Sequence, residues 1–154
     1  MNKNNILKIY TKEKQGKIGD MFGIFFEDLN HAADGGLYAE LVQNPSFEFA
    51  PIDNPDYHSL TAWEKVEPIG GKVEIYVEET NPLNTKNTHY LVINAIEPGE
   101  GVGIKNLGFN TGIPLTQGES YKFSCYARLG SNFVHPVQIT LESGEGEVYA
   151  AAKL

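Results

Sequence analysis

The chain has one cysteine, one tryptophan, two methionines and only twelve basic residues among its 154. Each shortage excludes something. A lone Cys125 permits no intrachain disulfide, so the fold must rest on packing and hydrogen bonds. Cys125 sits in an alternating run at 121–128 among apolar partners, which predicts a buried, inert thiol. No apolar run approaches the roughly 18 residues that a membrane-crossing helix requires. The opening MNKNNILKIY also lacks the apolar core of roughly 7–15 residues that marks a secretory signal. With a methionine at position 1, the expectation is a cytoplasmic protein, secretion being the alternative. His31, His58, His89 and His135 lie far apart and form no metal-ligand spacing, so neither a metal nor another cofactor is expected. Positive charge is the last scarcity. Twelve basic groups face twenty acidic ones, for a net charge of −8. Residues 1–17 hold five lysines and one glutamate (+4), which leaves seven basic and nineteen acidic groups (−12) in the remainder. Such an acidic body repels phosphate backbones and anionic lipid, which argues against nucleic-acid or membrane partners.

What is present changes character near residue 50. Residues 6–10 (ILKIY) alternate enough for a short strand, and residues 21–26 (MFGIFF) form a continuous apolar run, as in a strand buried on both faces. A break follows at 30–36, where Asp34 is a plausible helix N-cap beside two glycines. Leu37 with Leu41 and Tyr38 with Val42 then recur at i,i+4, which predicts a helix of 8–10 residues closing near Asn44-Pro45. Strand, loop and helix in that order are half of a βαβ crossover. Beyond the stretch at 51–61, punctuated by Pro51, Asn54, Pro55 and Asp56, no helical period returns. Alternation at 72–78, 121–128 and 137–142, with further candidates at 89–94 and 147–152, predicts an antiparallel sandwich. Its inward set is expected to include Val73, Ile75, Val77, Phe123, Cys125, Ile139 and Leu141. Gly101, Gly103, Gly108 and Gly112 read as turn and bulge glycines, since no Lys-Ser/Thr or following helix supports a phosphate cradle.

Two stretches carry a family resemblance. The first is GIFFEDLNHAADGGLYAELVQNPSFEF at 23–49, including an Asn-x-Ser-Phe-Glu ending at 44–48 with Pro45 where an arginine is more usual. The second is GVGIKNLGFNTGIPLTQGESYKFSCYARLG at 101–130. Together they resemble the N-terminal part of the α-L-arabinofuranosidases of glycoside hydrolase family 51. The resemblance implies a mainly β chain: a partial antiparallel jelly-roll sandwich preceded by one β-loop-α unit of an eight-stranded α/β barrel. The expected division is 1–50 for an N-terminal strand and the first barrel unit, 51–61 for a linker, and 62–154 for a carbohydrate-binding-type sandwich truncated at its C-terminal end. A complete barrel of that kind takes about 250 residues, so the chain reads as a fragment. It is expected to associate with itself or with the remainder of such an enzyme.

The site expectations divide by source. The resemblance gives Glu27 the role of hydrogen-bonding an arabinofuranose ring, without being nucleophile or acid/base. On pattern alone, a glutamate after two phenylalanines is more often a strand-end surface residue. Asn30 and His31 are expected in the loop beside Glu27, where capping or positioning is as good an account as sugar contact. A retaining glycosidase needs two carboxyl groups about 5–5.5 Å apart, and the family carries both on later barrel strands. No catalytic residue is therefore expected, and Glu27–Asp28 cannot substitute because adjacent strand residues face opposite ways. Trp63, Tyr76 and Tyr126 are candidates for stacking on sugar rings, Tyr90 being a further aromatic of interest. The plainer alternative has Trp63 closing the base of the sandwich and the tyrosines as ordinary surface residues. The function implied is a segment of a retaining enzyme that releases terminal α-L-arabinofuranosyl groups from arabinoxylan or arabinan. A non-catalytic carbohydrate-binding module and a structural spacer are the alternatives.

Overall fold

The computed structural model describes residues 8–13, 16, 31–33, 36–131 and 133–153. Six strands form among them: β1 (Trp63–Val66), β2 (Lys72–Glu78), β3 (Tyr90–Glu97), β4 (Gly103–Asn106), β5 (Gln138–Glu142) and β6 (Val148–Lys153). No helix forms among the described residues. The strands pair antiparallel in three two-stranded ladders, β1 with β4, β2 with β3 and β5 with β6. A mainly β chain is the result.

The β2–β3 ladder supplies most of the core, for a reason visible in its sequence. Val73, Ile75 and Val77 pair across with Ala95, Ile93 and Leu91, while Glu74, Tyr76 and Glu78 pair with Asn94, Val92 and Tyr90 on the other face. Period-two alternation thus sorts apolar from polar side chains. Val73 and Ile75 are buried, and Val77 is half-buried. A bulge between Lys72 and Val73 shifts the register at the start of the ladder. The Val73 amide donates to the Glu67 carboxylate at 2.8 Å. β1 reaches β2 through a turn in which the Gly71 amide donates to the Pro68 carbonyl at 2.8 Å. Gly70 takes φ +82° there, the left-handed conformation such a turn needs at its third residue. β1 touches β2 and β3 touches β4, which joins these two ladders into one block. The β5–β6 hairpin closes through Ser143, whose hydroxyl accepts from the Glu145 and Glu147 amides. Its strands pack mainly on each other. Ile139 and Leu141 are half-buried there, and every residue of β6 is exposed.

Two expectations are corrected. The helix predicted from Leu37, Tyr38, Leu41 and Val42 is absent: the stretch holds turns, an isolated bridge residue, irregular chain and bends. Leu37 and Tyr38 are exposed, so the i,i+4 spacing has no apolar surface to face. A helix of that length is marginal in water without such burial. Its backbone groups go elsewhere instead: the Val42 amide donates to the Glu40 carboxylate at 2.9 Å and the Gln43 amide to the Asn106 side chain at 3.1 Å. The second correction is the run 121–128, which alternates in sequence yet forms no strand. Phe123 and Cys125 are exposed rather than buried, as are Lys122, Ser124 and Tyr126 on the opposite register. Alternation allows a strand, but a ladder partner must satisfy its amides and carbonyls. No described segment pairs with this one. The expected strand at 21–26 and the Asp34 cap lie outside the described residues, as do positions 6 and 7 of the expected strand at 6–10, whose described residues 8–10 form no strand.

Candidate functional site

The segment 43–49 is the best-organised irregular piece of the chain, and two asparagines account for it. Asn44 is 1% exposed and has φ +52°, a conformation that asparagine tolerates better than most residues. Its side-chain amide donates to the carbonyls of Ser59 at 2.9 Å and Thr61 at 3.2 Å, and its side-chain oxygen accepts from the Phe49 amide at 3.2 Å. Its main-chain carbonyl accepts from the Trp63 indole at 2.9 Å. Asn106, at the end of β4, mimics a strand toward Gln43. It accepts from the Gln43 amide and returns a bond to the Gln43 carbonyl at 2.9 Å. The same Asn106 oxygen accepts from the Gly108 amide at 2.9 Å. Buried polar groups need such partners to offset desolvation. No buried side-chain nitrogen or oxygen among the described residues lacks one.

Rings reinforce the hydrogen bonds. Phe47 lies against Trp63 at 5.3 Å between centroids, and Phe49 stacks on Tyr57 at 4.6 Å. His31 packs on Phe109 at 5.1 Å with the planes tilted by 54°. His89 then ties the segment to the β2–β3 ladder. Its Nε2 lies 3.0 Å from Glu79 and its Nδ1 lies 3.7 Å from Glu48 and 3.1 Å from the Thr88 hydroxyl. Among the described residues no group of three or more His, Cys, Asp or Glu side chains is arranged to hold a metal.

The sequence-derived site residues fall in different places. Glu27 and Asn30 lie outside the described residues. His31 is half-buried, with φ +60°. Trp63 is half-buried, its indole N–H and ring committed to Asn44 and Phe47. Tyr76 stands on the polar face of β2 between Glu74 and Glu78 and is exposed. Tyr126 is exposed as well, close in sequence to Arg128, whose guanidinium lies over the Tyr90 ring at 5.5 Å. Trp63, Tyr76 and Tyr126 thus form no single cluster of ring contacts. Sequence reasoning missed Asn44, Asn106 and Phe109 as organisers. Asn44 did carry a signal, since it opens the Asn-x-Ser-Phe-Glu stretch, whereas Asn106 acts across 63 residues and leaves no local trace.

The chain as a class is a β-rich, acidic polypeptide whose irregular segment is anchored by asparagine side chains. It is similar to α-L-arabinofuranosidases, a segment of which it matches over most of its own length. It is 42% identical over 134 residues to an extracellular exo-alpha-L-arabinofuranosidase of Streptomyces chartreusis, covering 87% of this chain and 15% of that one. It is 33% identical over 130 residues to alpha-L-arabinofuranosidase 1 of Arabidopsis thaliana (80% and 18%). To alpha-L-arabinofuranosidase A of Aspergillus niger it is 32% identical over 115 residues (73% and 16%). The chain therefore spans less than a fifth of the length of these curated relatives. No family model and no solved structure matches it.

Proposed function

We propose that this chain is part of a retaining glycoside hydrolase that releases terminal α-L-arabinofuranosyl residues from arabinoxylan or arabinan. In this reading Glu27, with Asn30 and His31 beside it, contacts the sugar, and the catalytic pair of carboxylates lies in sequence this chain does not contain. The carrying observation is similarity to arabinofuranosidases of a bacterium, a plant and a fungus over 73–87% of this chain and only 15–18% of theirs. A carboxylate suits the role given to Glu27, because it accepts hydrogen bonds from two sugar hydroxyls with the added strength of its charge. In the same reading residues 1–50 form a barrel unit, 51–61 a linker and 62–154 a sandwich attached to it.

The test is turnover of nitrophenyl α-L-arabinofuranoside. The purified 154-residue chain is expected to release no nitrophenol, while a polypeptide extended by its downstream coding sequence is expected to be active. Glu27→Gln in that longer polypeptide should cost roughly 1.5–3 kcal/mol in kcat/KM, the scale of one charged hydrogen bond. Turnover by the short chain, abolished by Glu27→Gln, would overturn the assignment. The exposed rings of Tyr76 and Tyr126 favour one further reading, a non-catalytic carbohydrate-binding module. Retardation of the short chain in gels containing arabinoxylan, without turnover, is the result that reading expects.

A further inference from the structure

We propose that His89 is a pH-sensitive latch, which fastens the 43–49 segment to the β2–β3 ladder when its ring takes up a proton. Nothing in this device depends on the arabinofuranosidase reading. Glu79 and His89 are the first and last residues of the loop that joins β2 to β3. Across the ends of that loop, His89 Nε2 lies 3.0 Å from the Glu79 carboxylate. Its other nitrogen, Nδ1, lies 3.1 Å from the Thr88 hydroxyl and 3.7 Å from the Glu48 carboxylate. Glu48 belongs to the separate 43–49 segment, so one imidazole faces a carboxylate on each side.

A neutral imidazole has a single N–H and cannot serve both. Its proton belongs on Nε2, because the opposite tautomer would set a bare nitrogen against Glu79 at 3.0 Å. Nδ1 is then an acceptor, satisfied by the Thr88 hydroxyl, and its lone pair faces Glu48. Glu48 gains nothing from the ring in that state. Protonation turns Nδ1 into a second donor and the ring into a cation. Attraction then reaches Glu48 at ion-pair distance, and the contact with Glu79 becomes charge-assisted. The latch is therefore closed below the usual histidine range of about pH 5–8 and opens as pH rises through it. Neighbouring charges are engaged elsewhere. Glu78 meets the Thr80 hydroxyl, Arg128 lies over the Tyr90 ring, and among the described residues no lysine or arginine pairs with Glu48 or Glu79. The Asn-x-Ser-Phe-Glu stretch is thus held differently at its two ends. Asn44 is buried and bonded to uncharged backbone groups, a hold that does not change with pH. Glu48 is held only by an imidazolium.

The test is NMR of the isotope-labelled 154-residue chain, titrated from about pH 8.5 to about 5 to span the histidine range. At the alkaline end the His89 ring nitrogens are expected to show the Nε2–H tautomer, and the Nδ1–H tautomer would overturn the proposal. On acidification the Glu48 carboxyl carbon and the Phe47, Glu48 and Phe49 amides should shift along the same curve as the His89 ring. Protection of the Phe49 amide, which donates to Asn44, against hydrogen exchange should rise about two- to fivefold, the scale of a solvent-exposed ion pair. Segment signals that ignore the His89 curve, or protection that falls on acidification, would overturn the latch without any variant. Glu48→Gln should abolish the response of the segment while the Glu79 carboxyl carbon still follows His89, and His89→Gln should abolish both. His58 is the control: its Nδ1 accepts from the Leu60 amide at 3.2 Å, beside the Ser59 carbonyl that Asn44 binds. A response that survives His89→Gln is carried by His58 and would overturn the assignment to His89.

Discussion

Asparagine does here what backbone does elsewhere. Asn44 and Asn106 present an amide and a carbonyl in the geometry of a peptide group, so an irregular segment can be held without joining a sheet. Asn44→Ala would leave two carbonyls and an amide without their partner and place alanine at φ +52°. The expected cost is about 2–4 kcal/mol from unsatisfied groups and backbone strain. Asn44→Gly relieves the strain and should cost less. Urea unfolding followed by the fluorescence of Trp63, the only tryptophan, measures both, since its indole is bonded to Asn44 itself. Equal losses for the two variants would contradict the account of the left-handed conformation. Asn106→Ala is expected to release Gln43 and so raise amide exchange at Gln43 and Gly108, with smaller effects at Val73 in the neighbouring ladder.

At the scale of elements, pattern was legible where a strand had a partner close in sequence. β2 and β3 are separated by a short polar loop, and the alternation of Val73, Ile75 and Val77 correctly assigns their shared inner face. The β5–β6 hairpin was legible for the same reason. The run at 121–128 carries as clean an alternation and forms nothing, because pairing is a property of two segments and only one is visible in a local pattern. The helical spacing at 37–42 failed similarly: it specifies a stripe, and only a surface to cover the stripe makes a helix of it. β1 and β4 had too little period to be noticed, four residues each, and are defined by one another. Of the candidate site, Trp63 and His31 stand out in the sequence, yet the contacts that hold them come from 19 residues away in one case and 78 in the other. Substitutions separate the two kinds of alternation. Val73→Ala should lower stability by about 1–3 kcal/mol, as loss of buried methyl groups does. Phe123→Ser should change it by less than about 0.5 kcal/mol, as exposed positions do. Midpoints of urea denaturation give both, and a larger effect at Phe123 would restore a buried strand there.

At the scale of the whole molecule, the described residues bury little for their number. Val73, Ile75 and Phe109 are the buried apolar residues among those described, while Tyr121, Phe123, Leu129, Phe133, Val134, Val148 and Tyr149 are exposed. A fully buried large side chain contributes roughly 1.5–3 kcal/mol, so the exposed set holds stabilisation this arrangement does not collect. An exposed apolar surface of that kind favours association. Sedimentation velocity over a range of concentrations is expected to show species larger than the 17.0 kDa chain, insensitive to added salt because the contacts are apolar. A single monomeric boundary at high concentration would argue against it. Among the described residues, three two-stranded ladders also leave several strand edges without a partner, open to further pairing.

The reach of Asn106 has a consequence in time. β2 and β3 meet across the eleven-residue loop 79–89, but β1 must find β4 some forty residues on, and Gln43 must find Asn106 across 63. Closing a longer loop costs more chain entropy and delays the contacts that reward it. The β2–β3 hairpin is therefore expected to form first, β1–β4 next, and the 43–49 segment last. In refolding experiments Trp63 fluorescence, which senses Phe47 and Asn44, should recover after the β-sheet signal in far-ultraviolet circular dichroism. During synthesis Gln43 emerges from the ribosome well before the Asn106 side chain that anchors it, and must wait for that residue to be made.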